Sequence, residues 1–130
     1  MNEILIPTGP AELVDQITMA QHKAQAATDP VCHRVLMQRL NLMQRVAARV
    51  LPQDQPFGQL RAAIVSARHD LIQLESDLRI CEARADFDIA FVALARAYLE
   101  AMDTLEHHKR ALDDHAGPGL EPDISPAADH

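Results

Sequence analysis

The sequence predicts an all-α protein: an antiparallel bundle of four helices built on one long helical hairpin, with a disordered C-terminal tail. Two spacing patterns and one compositional fact lead there. After Phe57, the residues Leu60, Ile64, Ala67, Leu71, Leu74, Leu78 and Cys81 recur at alternating intervals of four and three. Phe87, Phe91, Leu94, Tyr98, Ala101, Leu105, His108 and Leu112 repeat the alternation. Each series runs an apolar, coiled-coil-like seam down one helix face, as packed antiparallel helices require. Apolar residues make up 48% of the 130, yet aromatics only 3%, and Trp is absent. A core of Leu, Ile, Val, Met and Ala suits helix-on-helix packing better than a sheet sandwich.

The elements follow in order. Residues 3–7 are a short apolar lead that reads as an extended segment against the bundle. The first helix opens with Gly9 as N-cap, Pro10 at the first helical position, and Glu12 where a capping-box acid belongs. Its buried face reads Leu13, Ile17, Ala20, Ala24 and Ala27. Asp29-Pro30 is a second cap-plus-proline start. The second helix runs from there to just before Pro52, with Cys32, Leu36, Leu40, Met43, Ala47 and Val50 as its stripe. Residues 52–56 form a stiff linker, and the third helix continues to about Arg84, with Glu75 and Arg79 spaced for a helical ion pair.

The junction between the third and fourth helices contains neither Gly nor Pro. One unbroken helix there would be about 85 Å long. Asp86 is a good N-cap, however, and the seam slips phase between Cys81 and Phe87, so a tight turn is expected. The fourth helix adds Ile89, Val92, Ala95, Leu99 and Met102 outside its seam. A helix apolar on several faces reads as the central one, wrapped over its N-terminal two thirds by the first two helices and projecting beyond Asp103. Gly117, Pro118, Gly119, Pro122 and Pro126 then mark an end to regular structure. The domain boundary falls at 113, with residues 114–130 a disordered acidic tail.

Charge narrows the functional classes. The net charge is −7, from 19 acids and 12 bases, and five acids (Asp113, Asp114, Glu121, Asp123, Asp129) follow the last base, Arg110. The helical part is therefore nearly neutral, which disfavours nucleic-acid binding through bulk charge. The second helix carries Arg34, Arg39, Arg45 and Arg49 and no acid: a solvated face, or a docking surface for an acidic partner that includes the protein's own tail. No stretch approaches the ~20 apolar residues of a membrane span. The N-terminus lacks the charge-then-apolar pattern of a signal peptide, and the cytoplasm is the default location. Cys32 and Cys81 both lie on apolar stripes and read as buried free thiols.

Cofactor and catalytic motifs are not found. Seven histidines invite a metal reading, but neither Glu-x-x-His nor His-x-x-x-His occurs, so no metal and no cofactor is expected. There is no Gly-rich phosphate loop, and no Ser or Cys is supported as a nucleophile. His108 stands out for taking a seam position. It marks a fraying seam, a hydrogen bond across the hairpin, or a proton-sensing or ligand-binding group.

The segment Glu12-Leu13-Val14-Asp15-Gln16-Ile17-Thr18, continuing to Lys23, resembles the N-terminal helix of a bacterial all-helical family without assigned function. That helix reads E-L-I-D-K-I-T-I-L-E-I-K after an apolar-Pro lead. Pro7, Glu12, Leu13, Asp15, Ile17, Thr18 and Lys23 match it. The similarity runs on through Asp29-Pro30, Glu75, Arg79, the junction at Asp86-Phe87 (Gly-Asp-Phe-Gly in the relatives) and Phe91 to Arg96. It ends at Asp103 and Lys109, in a stretch the relatives write R-A-V-Y-R-x-N-D-x-R-x-x-L-K. The chain departs from the pattern at Gln16 for Lys, Leu99 for Tyr, Met102 for Asn, Leu105 for Arg and His108 for Leu. Members of the family often occur beside proteins that build surface polysaccharides. The resemblance thus implies a glycosyltransferase as a partner class.

The polar residues kept from the pattern, Asp15, Thr18, Lys23, Asp103 and Lys109, form the candidate ligand or partner surface. Two helix faces with ordinary surface ion pairs are the competing explanation. The expected function is a non-enzymatic helical interaction or accessory module, with a homodimer among its expected assemblies because long-seamed hairpins commonly self-associate. The alternative is a small-ligand-binding or enzymatic bundle using those five residues. An interior pocket lined by ionisable groups would favour the second class, and a dry core with an exposed apolar patch the first.

Overall fold

The computed structural model describes residues 8–117; the apolar lead at 3–7 and the tail beyond 117 lie outside them. Four helices account for the fold, and no strand occurs among the described residues: α1 (Pro10–Ala26), α2 (Pro30–Val50), α3 (Gln55–Ala83) and α4 (Ile89–Ala116). Both proline starts read from the sequence are observed. Pro10 and Pro30 open α1 and α2, and the Asp29 carboxylate accepts from the Cys32 N–H at 2.8 Å. Asp54 caps α3 in the same way, accepting from the Phe57 N–H at 2.8 Å. Gln55 and Pro56, read as linker, are the first residues of that helix.

The hairpin is α3 against α4, and the turn between them is a Schellman closure without glycine. The Asp86 N–H reaches the Cys81 carbonyl at 2.9 Å, the Ala85 N–H reaches that of Glu82 at 3.1 Å, and Ala85 has φ +53°. This is the position the left-handed C′ residue takes. The N-cap of α4 is Asp88, whose side chain accepts from the Ala90 N–H at 3.0 Å, and not the expected Asp86, which serves the closure of α3 instead. A left-handed alanine carries strain that glycine does not. Ala85→Gly should therefore stabilise the fold by roughly 0.5–1 kcal/mol after glycine's extra chain entropy is subtracted, read as a raised urea midpoint.

Both seams face inward, but unevenly. Ile64, Ala67 and Leu71 of α3 and Leu105 and Leu112 of α4 are buried, whereas Leu74, Leu78, Cys81, Phe91, Leu94 and Tyr98 are half-buried and Phe87 is exposed. Burial follows α1, which lies along one side of the hairpin at its open end. There it runs antiparallel to α4 and alongside α3, with Asp15 touching Arg68 and Lys109. At about 25 Å, α1 is far shorter than the hairpin's ~43 Å, so the tip is a two-helix structure only.

This corrects two expectations. The central helix is α1, the element that packs against α2, α3 and α4 alike. The covered part of α4 is its C-terminal third, while its N-terminal part shows Ile89, Val92, Leu99 and Met102 to solvent. Apolar content was misleading there because none of the described elements packs on that second face. The buried face of α1 is also wider than the one expected: it holds Ala11, Val14, Asp15 and Thr18 toward the hairpin besides Ile17 and Ala24, while Leu13, Ala20 and Ala27 are half-buried. Asp114, His115 and Ala116 belong to α4, past the boundary expected at 113.

The helix α2 packs against α1 and makes no comparable contact with the hairpin. His33 ties its start to the end of α1, donating from Nδ1 to the Ala24 carbonyl at 2.8 Å. Leu40 and Ala47 are its buried residues. Neither cysteine is buried as expected: Cys32 is exposed, Cys81 is half-buried, and both are free thiols. Glu75 and Arg79 do pair, at 3.1 Å and in full view of solvent, a contact worth a few tenths of a kcal/mol.

Candidate functional site

Asp15 is the chemical anomaly of the core, a carboxylate with 0% of its surface exposed. It sits on the α1 face that also carries Ala11, Val14 and Thr18, so the helix cannot bury those apolar groups without burying the acid. Taking a carboxylate out of water costs several kcal/mol unless cations and hydrogen bonds replace the solvent. Two cations do so. The Arg68 guanidinium grips both oxygens, Nε to Oδ1 at 2.6 Å and a terminal nitrogen to Oδ2 at 2.7 Å. Lys109 Nζ lies 2.6 Å from Oδ2 and also donates to Glu12 Oε2 at 2.8 Å.

The cluster holds two acids and two bases, and it ties α1 to α3 through Arg68 and to α4 through Lys109. Burial on its own would push the Asp15 carboxyl up. The hydrogen bonds and charges of Arg68 and Lys109 outweigh it and hold the group below the ordinary carboxylate range. For Lys109, burial works against the charge, but Asp15 and Glu12 prevail and raise its affinity for the proton. Hydrogen bonding to Asp15 is the main cause of the matching rise at Arg68. All three stay charged at neutral pH.

The arrangement continues to the N-terminal end of α1 and one turn beyond Asp15. Gly9, the N-cap, has no side chain to offer, and Glu12 points to Lys109 instead of closing a capping box. The Ala11 N–H is taken by Asp113 of α4, at 2.9 Å. Thr18 Oγ1 donates back to the Val14 carbonyl at 2.9 Å, which satisfies a hydroxyl that is itself buried.

Of the five residues marked in the sequence, the structure therefore brings Asp15 and Lys109 into contact and sets Thr18 one turn along the same buried face. Lys23 and Asp103 are exposed. Lys23 lines a shallow groove of about 230 Å³ between α1 and α2 with Gln16, Arg39 and Met43. Arg68 and Glu12 complete the cluster and were missed. The signal for Arg68 was indirect: an acid inside the stripe Ala11-Val14-Asp15-Thr18 demands a cation from a facing helix, and Arg68 flanks the seam residues Ala67 and Leu71.

The cluster's chemistry is that of a closed network. A general base must reach its substrate's proton, and a lysine nucleophile needs its proton affinity lowered, the opposite of the shift at Lys109. No buried side-chain nitrogen or oxygen among the described residues lacks a partner. Nor do three or more His, Cys, Asp or Glu side chains converge there as a metal site would need. His108 is half-buried, its ring 5.7 Å from that of His107, and His115 pairs with Asp54 at 3.0 Å. No helix among the described residues is long and apolar enough to cross a membrane. The chain matches no family model, no curated protein and no solved structure.

Proposed function

We propose that the protein is a non-enzymatic helical interaction module whose partner packs on the outer face of α4. One observation carries the reading. Ile89, Val92, Leu99 and Met102 lie within an arc of about 140°, which Arg96 and Asp103 share, on a helix whose seam is already packed on α3, and Leu99 is 62% and Ile89 87% exposed. Large side chains aligned on one face of a long helix offer a second seam, the surface on which another helix docks. Beside it Phe91, Ala95, Tyr98 and Leu99 line an open, largely apolar groove of about 390 Å³ with Leu78. The partner is a second copy of the chain or, following the family resemblance, a glycosyltransferase of cytoplasmic glycan or envelope assembly.

The alternative, a ligand-binding or enzymatic bundle built on Asp15, Thr18, Lys23, Asp103 and Lys109, is less favoured. Asp15 and Lys109 direct their bonding to each other, to Arg68 and to Glu12, and Lys23 and Asp103 are both exposed, with no ion pair drawing either toward the cluster. The test is sedimentation of the intact protein over a range of concentrations, with affinity capture from native lysate as a second arm. Self-association or a captured glycosyltransferase is expected, and Leu99→Glu should abolish it while leaving the helical signal unchanged. A monomer that captures nothing, or binding indifferent to Leu99→Glu, would refute the reading.

A further inference from the structure

The outer face of α2 combines cations and apolar groups in a way that the fold does not use. On a wheel of 100° per residue, Arg34, Arg45, Arg49, Val31, Leu42, Val35, Val46, Arg39 and Val50 fall within one arc of about 160°, Arg39 standing near its edge where it also lines the groove against α1. All nine are exposed, and the buried Leu40 and Ala47 lie on the other side, toward α1. None of the four arginines makes an ion pair among the described residues, and the helix contains no acid. A solvated face has no need of five large apolar side chains between its charges. The face is suited to an occupant that is itself both acidic and apolar.

The chain supplies one. Residues 118–130 hold Glu121, Asp123 and Asp129 together with Leu120 and Ile124, and no Lys or Arg. Their starting point is fixed by α4: His115 contacts Asp54 at 3.0 Å, and Asp54 lies just beyond the C-terminal end of α2, where Arg45 and Arg49 are. Thirteen extended residues reach about 43 Å, against about 31 Å for the whole of α2. Pro122 and Pro126 favour an extended path over a helical one. We infer that residues 118–130 run back along the outer face of α2, their carboxylates on its arginines and Leu120 and Ile124 between its valines. A basic, apolar helix face also fits an anionic membrane surface. The own segment is preferred because it starts beside the C-terminal end of α2 and is tethered there, which keeps its carboxylates at a high local concentration.

The test uses the full chain with a nitroxide on Ser125→Cys, in a background where Cys32 and Cys81 are Ser. Amide signals along α2 should be lost to paramagnetic broadening, while those at the hairpin tip persist. Arg45→Glu with Arg49→Glu should restore them, and adding Glu121→Arg and Asp123→Arg should bring the loss back. That rescue separates docking from any damage done by the arginine changes, whose side chains lie outside the core. Broadening absent from α2, or present only when labelled chain is mixed with unlabelled ¹⁵N chain, overturns the proposal, the second result assigning the face to another copy. Co-sedimentation with phosphatidylserine vesicles in the absence of intramolecular broadening would overturn it in favour of a membrane.

Discussion

Replacing Asp15 by Ala is expected to cost about 3–5 kcal/mol, a large part of the stability of a domain this size. The loss is not the worth of two ion pairs. It arises because Arg68 and Lys109 remain where they are, between helices, without the carboxylate that made their burial tolerable. The side chains keep 21% and 16% of their surface, so each can turn partly toward water. The lower end of the range is therefore the better expectation, a fall in Tm of roughly 10–20 °C. Urea unfolding of the pure protein would measure it. Acid provides an independent check. The folded state holds the Asp15 carboxyl below its ordinary range, so its contribution is complete above the unfolded value near 3.9 and fades as pH falls below it. The wild type should lose stability below about pH 4 more steeply than the Ala variant, which has already lost this contribution.

Truncating Phe57 to Ala should cost a similar amount, about 3–5 kcal/mol, for a different physical reason. Phe57 is 2% exposed and belongs to the same core cluster as Leu51, Ile64 and Leu112. Its removal leaves a cavity and forfeits the transfer energy of an aromatic ring. Because the residue stands in the first turn of α3, where the helix end can settle inward, the cost should sit toward the lower end. Leu99→Ala, at a position 62% exposed in the single chain, provides the contrast: less than about 0.5 kcal/mol in a urea measurement made at a concentration where the chain is monomeric. An equal loss at both positions would mean that the outer face of α4 is packed in solution.

What the sequence conveyed well was local. Pro10 and Asp29-Pro30 name the starts of α1 and α2 to the residue, and the seam spacing places α3 and α4 within a few residues, since caps and periodicity act within a few positions. The hairpin turn was legible as a place but not in its details. Asp86 and Asp88 are equally good caps, and only the Schellman closure of α3, with Ala85 left-handed, decides between them. The least legible facts were those set by where helices lie in space. Nothing in the fourth helix says that its apolar second face has no neighbour among the described residues, and that is why its covered end was misplaced. The charge cluster was half visible: Asp15 and Lys109 were marked through the family pattern, while Arg68 becomes necessary only once Asp15 is known to be dry.

Asp113 closes the first turn of α1 across 102 residues, and Lys109 meets Glu12 across 97. During synthesis the helix that everything else packs around is therefore made first and finished last. As α1 and α2 emerge, Asp15 is an ionised group in the middle of an apolar face, and it keeps that face in water. The α3–α4 hairpin can form quickly from local contacts, but α1 cannot close against it until the last turns of α4 have left the ribosome. A chain stopped short of Lys109 would carry most of its apolar seams but lack Leu112 and the second cation on Asp15, which would make such a product a ready target for chaperones and proteases.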